Sequence, residues 1–395
     1  MSDPIVIVAA RRTPIGGMSG QFVSLAATQL ASAAIAAAVK DSKLQGEDIS
    51  EAIIGCVLSA ALGQAPARQA VLGAGLPASL PCSTLNKVCG SGMKAVMLAH
   101  DQILAGSADI MIAGGMESMT NAPHLLPKAR QGYRYGHVKM LDHMAFDGLE
   151  NAYDGKSMGA FAEMCAEKYG FTREMQDAFA TESVRRAQRA VADGSFRNEI
   201  AGVVVKSRAG ETLLETDETP GQCKIDKIAT LKAAFKTDAG TVTAASSASI
   251  SDGAAALILM RESDAVARGI RPLARILGHA GNAQEPAWFT TAPIGAIDKL
   301  QRKLGWTPKD VDLYEINEAF AVVAMAAMKD LGLDHRKVNV NGGACALGHP
   351  IGATGARLLV TLIHALKNRG LKRGIASLCI GGGEATAMAI EAMEP

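Results

Sequence analysis

The chain has 395 residues, of which 48% are hydrophobic and 20% charged, so it can bury a large core and is expected to divide into two or more units. Lysine plus arginine (40) nearly cancels aspartate plus glutamate (39), which leaves no global field to attract nucleic acid or an anionic membrane. An anionic ligand would therefore need a local basic site.

The first residues and the apolar segments predict a cytoplasmic protein. The segment MSDPIVIVAARRTPIG enters an apolar strand without the features of a secretion signal, and apolar runs such as residues 30–39 are too short to span a bilayer. Seven scattered cysteines argue against a disulfide scaffold. Because CxxC and HxxxH pairs are missing and the eight histidines do not cluster with cysteines, no metal site is predicted.

Strand-like runs alternate along the chain with alanine-rich stretches of helical period. In chain order the strand-like runs are PIVIVAA, EAIIGCVLSA, DIMIAGG, DGAAALILM, VDLYEINEA and GIASLCIGGG. The helical stretches include GMKAVMLAHDQILAG and GARLLVTLIHALKNRG. This alternation favours layers of an α/β fold.

The two ends of the chain look like variants of one unit. Glycines after Cys89 open a helix that leads to DIMIAGG, and Gly352 opens a helix that leads to IASLCIGGG. Parallel strands joined by one helix need a right-handed crossover, so two such units stacked helix to helix would form a duplicated α/β fold. Residues from about 122 to 246 are more charged and read as an insertion, a natural place for substrate contacts.

The first motif with chemical potential is NKVCGSGMKA at residues 86–95, a glycine-rich turn that places Cys89 at the start of an apolar helix. Backbone amides and the helix dipole at that point favour a negative charge and hence a thiolate. On this motif alone, a buried cysteine in a strand-to-helix connection explains the sequence equally well.

The second motif is NGGACALGHPIGATGAR at residues 341–357, which holds His349 between a glycine and a proline just ahead of a helix. Such a loop is stiff and lets the backbone approach a ligand closely. A histidine beside a cysteine is the usual means of keeping a thiol ionised near neutral pH. Taken alone, the motif also suits a core histidine in a tight turn.

The third motif is CIGGG, in which Cys379 ends the last apolar strand and three glycines follow. A glycine run leaves amides free to bind an oxyanion, and a thiol facing the same space could exchange a proton. In isolation, a strand cysteine before a bend is the simpler explanation.

The fourth motif is NEAFA at residues 317–321, between the strand VDLYEI and the helix AFAVVAMAAM. Asn317 could cap that helix, or its amide could fix a water molecule at a reaction centre. The sequence lacks GxxxxGK[ST], GxGxxG after the first strand and HExxH, so its glycines do not form a nucleotide loop.

Together and in this order, the four motifs resemble those of the thiolase family, and the resemblance runs over essentially the whole chain. Segments such as IVIVAARRTPIG, GGMESMTNAPHLLPKAR and TVTAASSASISDGAAALILM also lie where similar thiolase segments lie, nearest to short-chain acetyl-CoA acetyltransferases. The resemblance implies duplicated α/β halves stacked in five layers (αβαβα), with an inserted loop domain. The implied division is 1–121 plus 247–270, 122–246, and 271–395, and a homo-oligomer, a dimer or a tetramer, is expected.

The resemblance also implies a role for each motif. Cys89 would be the nucleophile that accepts the acyl group, His349 would relay its proton, and Cys379 would exchange a proton with C2 of a second acetyl-CoA. His349 with a water held by Asn317 would serve the enolate, and the amides of Cys89 and Gly381 would serve the tetrahedral intermediate. Coenzyme A is a substrate in this chemistry, which asks for no metal, flavin or nicotinamide cofactor.

Coenzyme A is expected to pass between the loop domain and the core. The residues predicted to contact it or the acyl group are Met158, Ser157, Ser246, Ser247, Ser249, Lys224 and Phe320. Ser157 stands where short-chain members often have histidine, and TPGQCK at residues 219–224 lacks an arginine that Lys224 would have to replace. These departures leave the acyl length and the coenzyme A affinity open.

The leading hypothesis is the reversible condensation of two acetyl-CoA molecules through acyl-Cys89. A degradative 3-ketoacyl-CoA thiolase that acts on longer acyl chains is the main alternative. A decarboxylating condensing enzyme would be expected to have two histidines beside its cysteine, where this chain offers one and a second cysteine. A catalytically silent thioester-binding protein is the alternative of another class, and it would not need every catalytic motif to be filled.

Overall fold

The computed structural model describes residues 3–208 and 210–393. The strands in these residues are β1 (Ile5–Arg12), β2 (Gly16–Gly17), β3 (Glu51–Gly55), β4 (Cys82–Leu85), β5 (Ile110–Ser118), β6 (His124–Leu125), β7 (Leu141–Asp142), β8 (Val203–Ser207), β9 (Gly210–Leu214), β10 (Ser251–Arg261), β11 (Ala274–Ala283), β12 (Leu313–Ile316), β13 (Arg373–Ile380) and β14 (Glu384–Ala392). The α-helices are α1 (Ala27–Ser42), α2 (Pro66–Gly73), α3 (Ser91–Ala105), α4 (Met158–Tyr169), α5 (Arg173–Ala192), α6 (Glu218–Gln222), α7 (Glu262–Ala267), α8 (Ala292–Leu304), α9 (Ala321–Leu331), α10 (Ala344–Leu347) and α11 (Ile351–Arg369).

Two parts of the main sheet repeat one strand order. The first part runs β4-β3-β5-β10-β1, with β3 parallel to β4 and β5, and β10 antiparallel to β5 and β1. The second part runs β12-β13-β14-β11 with the same relative directions, and a parallel bridge from Tyr314 to Val338 takes the place of β4. Strands β1 and β11 join the two parts through Val6 and Ile7. The fold therefore contains the duplication that the sequence predicts.

Helices cover both parts of the sheet and fill the space between them. Helix α1 packs on β1, β5 and β10, and α8 packs on β11, β13 and β14. Helices α3 and α11 pack against each other and contact strands of both parts, so they form the central layer. The result is five alternating layers, helix, sheet, helix, sheet, helix, and the predicted fold class is confirmed.

Strand β10 shows why the strands of the main sheet appear in the sequence as continuous apolar runs. Successive side chains of a strand point to opposite faces. Leu257 and Leu259 accordingly enter the central layer, while Ile258 and Met260 enter the outer layer beneath α1. Since both faces are covered, nearly every residue of the strand is buried and apolar.

Glycines allow the two central helices to meet at their N-terminal ends. A Cβ atom at Gly92 of α3 would lie 2.8 Å from the amide nitrogen of Ala356 in α11, and one at Gly115 of β5 would lie 2.0 Å from the carbonyl oxygen of Gly352 at the start of α11. Cβ atoms essentially never approach another atom so closely, so these positions exclude larger side chains. Because α3 begins two residues after Cys89 and α11 begins two residues after His349, this close approach brings the two sequence motifs together.

Residues between β5 and β10 form the predicted insertion, which contains the β6–β7 and β8–β9 hairpins and helices α4, α5 and α6. A buried ion-pair network ties it to β1, in which Arg12 contacts Glu199 at 2.6 Å and Asp217 at 2.7 Å. The domain boundaries given above remain predictions, and their outermost residues, 1–2 and 394–395, lie outside the described part. Within the described residues, no helix is both long and apolar enough to cross a membrane.

Candidate active site

Cys89 lies in a tight turn between β4 and α3. The Ser91 hydroxyl donates to the carbonyl oxygen of Val88 at 2.7 Å and accepts from the amide of Lys87 at 2.8 Å, and Asn86 Oδ1 accepts from the amide of Val88 at 2.9 Å. Val88 has a φ angle of 47°, in the left-handed region that a β-branched residue rarely adopts. Strained residues of this kind cluster at functional sites, where neighbouring contacts hold them.

The thiol of Cys89 accepts hydrogen bonds from its own amide and from the amide of Gly381. Burial nevertheless raises the pKa of the thiol to about 11, the two amides lower it less, and the charge of Glu117 adds to the rise. The thiol is therefore protonated at neutral pH. The sequence favoured a thiolate here, and the structure corrects that expectation because desolvation outweighs the helix dipole and the amides.

His349 lies between α10 and α11, and it is buried. Its Nδ1 is 2.6 Å from Thr354 Oγ1, its amide donates to the carbonyl oxygen of Ser249 at 3.1 Å, and its Nε2 is 3.5 Å from Asn317 Nδ2. Burial, followed by the nearby charge of Arg357, lowers the pKa of His349 to about 3. The imidazole is thus neutral, and with Nδ1 occupied, Nε2 is the nitrogen that can exchange a proton.

Asn317 follows β12 and is fully buried. Its backbone amide donates to the carbonyl oxygen of Ser377 at 3.0 Å, and its side-chain oxygen Oδ1 has no hydrogen-bond partner among the described residues. Helix α9 is capped by Phe320 rather than by Asn317, so the simple capping role does not apply. The next residue, Glu318, accepts from Asn339 at 2.8 Å and fixes the backbone of the motif.

Cys379 is the penultimate residue of β13 and is buried just before the glycine run. Burial raises the pKa of its thiol well above the usual value, and the proximity of Cys89 raises it further. The two thiols are therefore close enough to interact electrostatically. A neutral thiol in this position can donate a proton, and it can become a base once that proton has left.

An apolar cavity of about 280 Å³ opens beside these groups. Five of the predicted contact residues, together with His349, lie in its wall: Met158, Ser157, Ser247, Ser249 and Phe320. A second cavity of about 360 Å³ shares Met158 and includes Val88, Gly381 and Gly382. Met158 thus lines both cavities, of which the first reaches His349 and the second reaches the Cys89 turn through Val88.

Two predicted substrate contacts lie elsewhere. Ser246 is fully buried, and its hydroxyl accepts from the amide of Thr243 at 2.8 Å. Its side chain therefore stabilises the local turn, and its contact with a ligand stays a prediction. Lys224 is exposed between α6 and the 3-10 segment Ile225–Thr230, and it lines neither cavity.

Three residues of the site were not found by sequence reasoning. Phe235 lines the first cavity and packs edge-on against Phe320, with ring centroids 5.9 Å apart. Thr354 holds His349. Glu117 accepts from the amides of Val57, Leu58 and Gly352, and burial raises its pKa to about 7. Only Thr354 left a usable signal, a hydroxyl in the first helical turn after the histidine.

A nucleophilic thiol beneath two amides, a neutral histidine and a second thiol are the parts of a cysteine-dependent acyltransferase. Residues 5–263 match the thiolase N-terminal domain and residues 270–392 match the thiolase C-terminal domain. The chain belongs to the thiolase family, as its motifs indicated.

Several known proteins are similar over their whole length. Acetyl-CoA acetyltransferase 2 of Arabidopsis thaliana is 50% identical, over 98% of this chain and 96% of the relative. The structure of Acat5 thiolase from Ascaris suum in complex with coenzyme A has a TM-score of 0.93 at 41% identity, and covers 99% of this chain and 100% of its own. The Bacillus anthracis acetyl-CoA acetyltransferase has a TM-score of 0.96 at 40% identity, with 99% of each chain covered.

Proposed function

We propose that the protein catalyses the reversible condensation of two acetyl-CoA molecules to acetoacetyl-CoA and free coenzyme A. The observation that carries this proposal is the position of the Cys89 thiol, which accepts from the amide of Gly381 and interacts with Cys379. Support comes from relatives named acetyl-CoA acetyltransferase and from a similar thiolase solved with coenzyme A.

The first half-reaction acetylates Cys89. His349 Nε2 takes the thiol proton as sulfur attacks the thioester carbonyl, since the resting pair is neutral. The oxygen of the tetrahedral intermediate lies near the amides of Cys89 and Gly381, which stabilise its negative charge. The coenzyme A thiolate then leaves and takes the proton of Cys379, so that acetyl-Cys89, protonated His349 and the thiolate of Cys379 remain.

The second half-reaction forms the carbon–carbon bond. The thiolate of Cys379 removes a proton from C2 of a second acetyl-CoA, while His349 and a water held by Asn317 stabilise the enolate oxygen. The carbanion attacks the acetyl group, and the thiolate of Cys89 leaves. His349 returns the proton to Cys89, which restores all three residues to their first state.

Coenzyme A thioesters act here as substrates, and the mechanism uses no resident cofactor. We place the enzyme in the cytoplasm, within fatty acid metabolism, and support for the compartment comes from its seven cysteines, all in the described part of the chain and all free thiols. A homo-oligomer, a dimer or a tetramer, is proposed because β4 ends the sheet with an open edge. Apolar side chains between β6 and β7 also face solvent, among them Leu126, Tyr135 and Met140.

Two measurements test the proposal. Incubation with acetyl-CoA should add one acetyl group to the peptide that contains Cys89, and Cys89→Ser should abolish both that adduct and turnover. The kcat/KM for acetoacetyl-CoA should exceed that for 3-ketohexanoyl-CoA by about tenfold or more, because an apolar site discriminates by this order for each methylene group. A tenfold preference for the longer substrate would instead identify a degradative thiolase, and absence of acetylation would leave a silent thioester-binding protein.

A further inference from the structure

Two histidines and an aspartate come together near the C-terminal end of α3, whereas the catalytic cysteine lies at its N-terminal end. Asp101 Oδ1 lies 2.8 Å from His279 Nε2 and 3.0 Å from His100 Nδ1. The two imidazole rings stand edge to face, with their centroids 5.3 Å apart. One candidate ligand atom from each residue lies within 4.8 Å of the other two.

The cluster joins the two halves of the fold. His100 and Asp101 belong to the third turn of α3, which follows the Cys89 turn, whereas His279 lies on β11, which begins the second half. His100 and Asp101 follow Cys89 by about eleven and twelve positions, most of them in α3, and this separation is roughly 17 Å at about 1.5 Å per residue. The cluster therefore lies outside the acyl-transfer site.

We propose that His100, Asp101 and His279 form a binding site for a divalent transition-metal ion, with Zn²⁺ as the best fit. Imidazole nitrogens and a carboxylate are the donors that Zn²⁺ takes at about 2.0 to 2.2 Å. Tetrahedral ligands at that distance lie about 3.4 Å from one another. The two distances from Asp101 Oδ1 to the histidine nitrogens, now 2.8 Å and 3.0 Å, would each lengthen by only about 0.5 Å. The remaining coordination position would hold water.

The chemistry of the three groups permits this exchange. The imidazoles now share the Asp101 carboxylate as a hydrogen-bond acceptor, and a cation would take the place of the two bridging protons. Each neutral ring can carry its proton on the other nitrogen, so the metal needs no change in ring charge. The Asp101 side chain is 49% exposed, which gives the ion an entry path, while His100 and His279 are largely buried and held in place.

Lys303 of α8 acts against cation binding. Its charge reaches His100, and its side chain is exposed. The Asp101 carboxylate offsets this charge, but the net effect of Lys303 is to weaken the site. This opposition supplies a variant that should bind the metal more tightly rather than less.

Sequence spacing could not reveal this site, which is why no metal was predicted. His279 is 178 positions from Asp101, and the fold alone brings them together. Adjacent residues on a helix, such as His100 and Asp101, do not resemble a zinc motif, because zinc motifs usually have about two to five residues between paired ligands.

The test is a titration of the full-length protein with Zn²⁺ by calorimetry and with Co²⁺ by visible absorption. Both are done in a Cys89→Ala background, which removes metal binding by the catalytic thiol. We expect about one ion per chain, a Co²⁺ spectrum typical of four or five ligands, and a thermal unfolding midpoint that rises with Zn²⁺.

Substitutions locate the ion. His279→Gln and Asp101→Asn should each raise the Kd by at least about tenfold, because each removes a direct ligand. Lys303→Gln should lower it by about two- to fivefold, as expected for one exposed charge. His137→Gln, at an exposed histidine elsewhere, is the matched control and should change nothing.

Two results would overturn the proposal. One is the absence of Co²⁺ absorption in the parent protein, and the other is an unchanged Kd in both His279→Gln and Asp101→Asn. Circular dichroism and the unfolding midpoint without metal show whether each variant folds. Because Asp101→Asn retains a side chain that accepts hydrogen bonds from both histidines, it separates loss of a ligand from loss of structure.

Discussion

The amide of Gly381 donates to the thiol of Cys89, although the two residues belong to different halves of the duplicated fold. Gly381 follows β13 in the second half, and a Cβ atom there would lie 3.6 Å from Val88 Cγ1. The turn before α3 and the end of β13 therefore pack directly on each other. The acyl-transfer site exists only where the halves meet, so any change that separates them should reduce activity as well as stability.

The first prediction concerns the ionisation of Cys89. Burial raises the pKa of this thiol to about 11 and lowers that of His349 to about 3, so the resting pair is neutral. The rate of alkylation by iodoacetamide should rise about tenfold per pH unit from about pH 6 to about pH 9, because the thiolate fraction rises by that factor. Timed labelling with peptide mapping measures this rate for each cysteine.

Acetyl-CoA provides the control for this labelling, since acetylation should protect Cys89 from iodoacetamide and leave the labelling rates of the other cysteines unchanged. A thiolate–imidazolium pair would instead give a rate that is constant above about pH 6. A plateau of that kind would show that the pair is ionised before substrate binds.

The second prediction concerns Thr354, which we treat as a positioning residue. Thr354→Val retains the shape of the side chain but removes the hydroxyl 2.6 Å from His349 Nδ1. An unpartnered buried nitrogen costs about 1 to 3 kcal/mol, so kcat should fall by roughly 5- to 150-fold while KM changes little. Steady-state thiolysis of acetoacetyl-CoA measures both constants.

Thr354→Ser is the matched control, because it keeps the hydroxyl and should restore most of the lost kcat. The unfolding midpoint distinguishes a local effect from a general loss of stability. Equal kcat values for the valine and serine variants would mean that the imidazole needs no help from this hydroxyl.

The third prediction separates the two half-reactions through Asn317. Its side-chain nitrogen Nδ2 lies 3.5 Å from His349 Nε2, the group assigned to the enolate oxygen. Asn317→Ala should lower kcat for condensation by about 100- to 1000-fold, the usual effect of losing one oxyanion donor. Acetylation of Cys89, followed by rapid quenching and mass spectrometry, should stay near the parent rate. A parallel fall in both rates would place Asn317 in the first half-reaction instead.

The sequence indicated the catalytic residues better than it indicated their burial and their hydrogen-bond partners. The order of the Cys89, Asn317, His349 and Cys379 motifs indicated the family, because each motif is local in the sequence: three of the four are rich in glycine, and the His349 motif also has a proline. The sequence favoured a thiolate at Cys89, whereas burial raises the pKa of this thiol to about 11. That burial depends on residues from the other half of the fold. Desolvation of this kind has no signature in local spacing.

Serine and threonine contacts show the same limit. Ser246 lies in the predicted coenzyme A segment, yet its hydroxyl accepts from the amide of Thr243. The neighbouring Ser247 and Ser249 line the cavity, but the Ser247 hydroxyl also donates to the carbonyl oxygen of Thr243. Thr354 was overlooked although it holds the catalytic histidine. Which partner a hydroxyl finds is decided by tertiary packing, because such short side chains can bond either to their own backbone or to a distant group.

The fourth prediction concerns the glycine contact through which strand β5 supports the first turn of α11. A Cβ atom at Gly115 would lie 2.0 Å from the carbonyl oxygen of Gly352, a backbone atom that cannot rotate away. Gly115→Ala must therefore displace the first turn of α11, and the loop that carries His349 would move with it. Overpacking of this kind costs typically about 1 to 3 kcal/mol, and occasionally more. The free energy of unfolding and kcat should both fall.

Gly221→Ala is the matched control for this substitution. Gly221 lies in α6, where an added Cβ would meet no atom of the described residues within 4 Å. Alanine should stabilise that position by roughly 0.4 to 1 kcal/mol, because it reduces the freedom of the unfolded chain. Urea unfolding and thiolysis assays of the two variants compare a buried contact between a strand and a helix with an exposed glycine. If Gly115→Ala kept both the parent stability and the parent kcat, the packing of α11 on β5 would not be what positions His349 against Cys89.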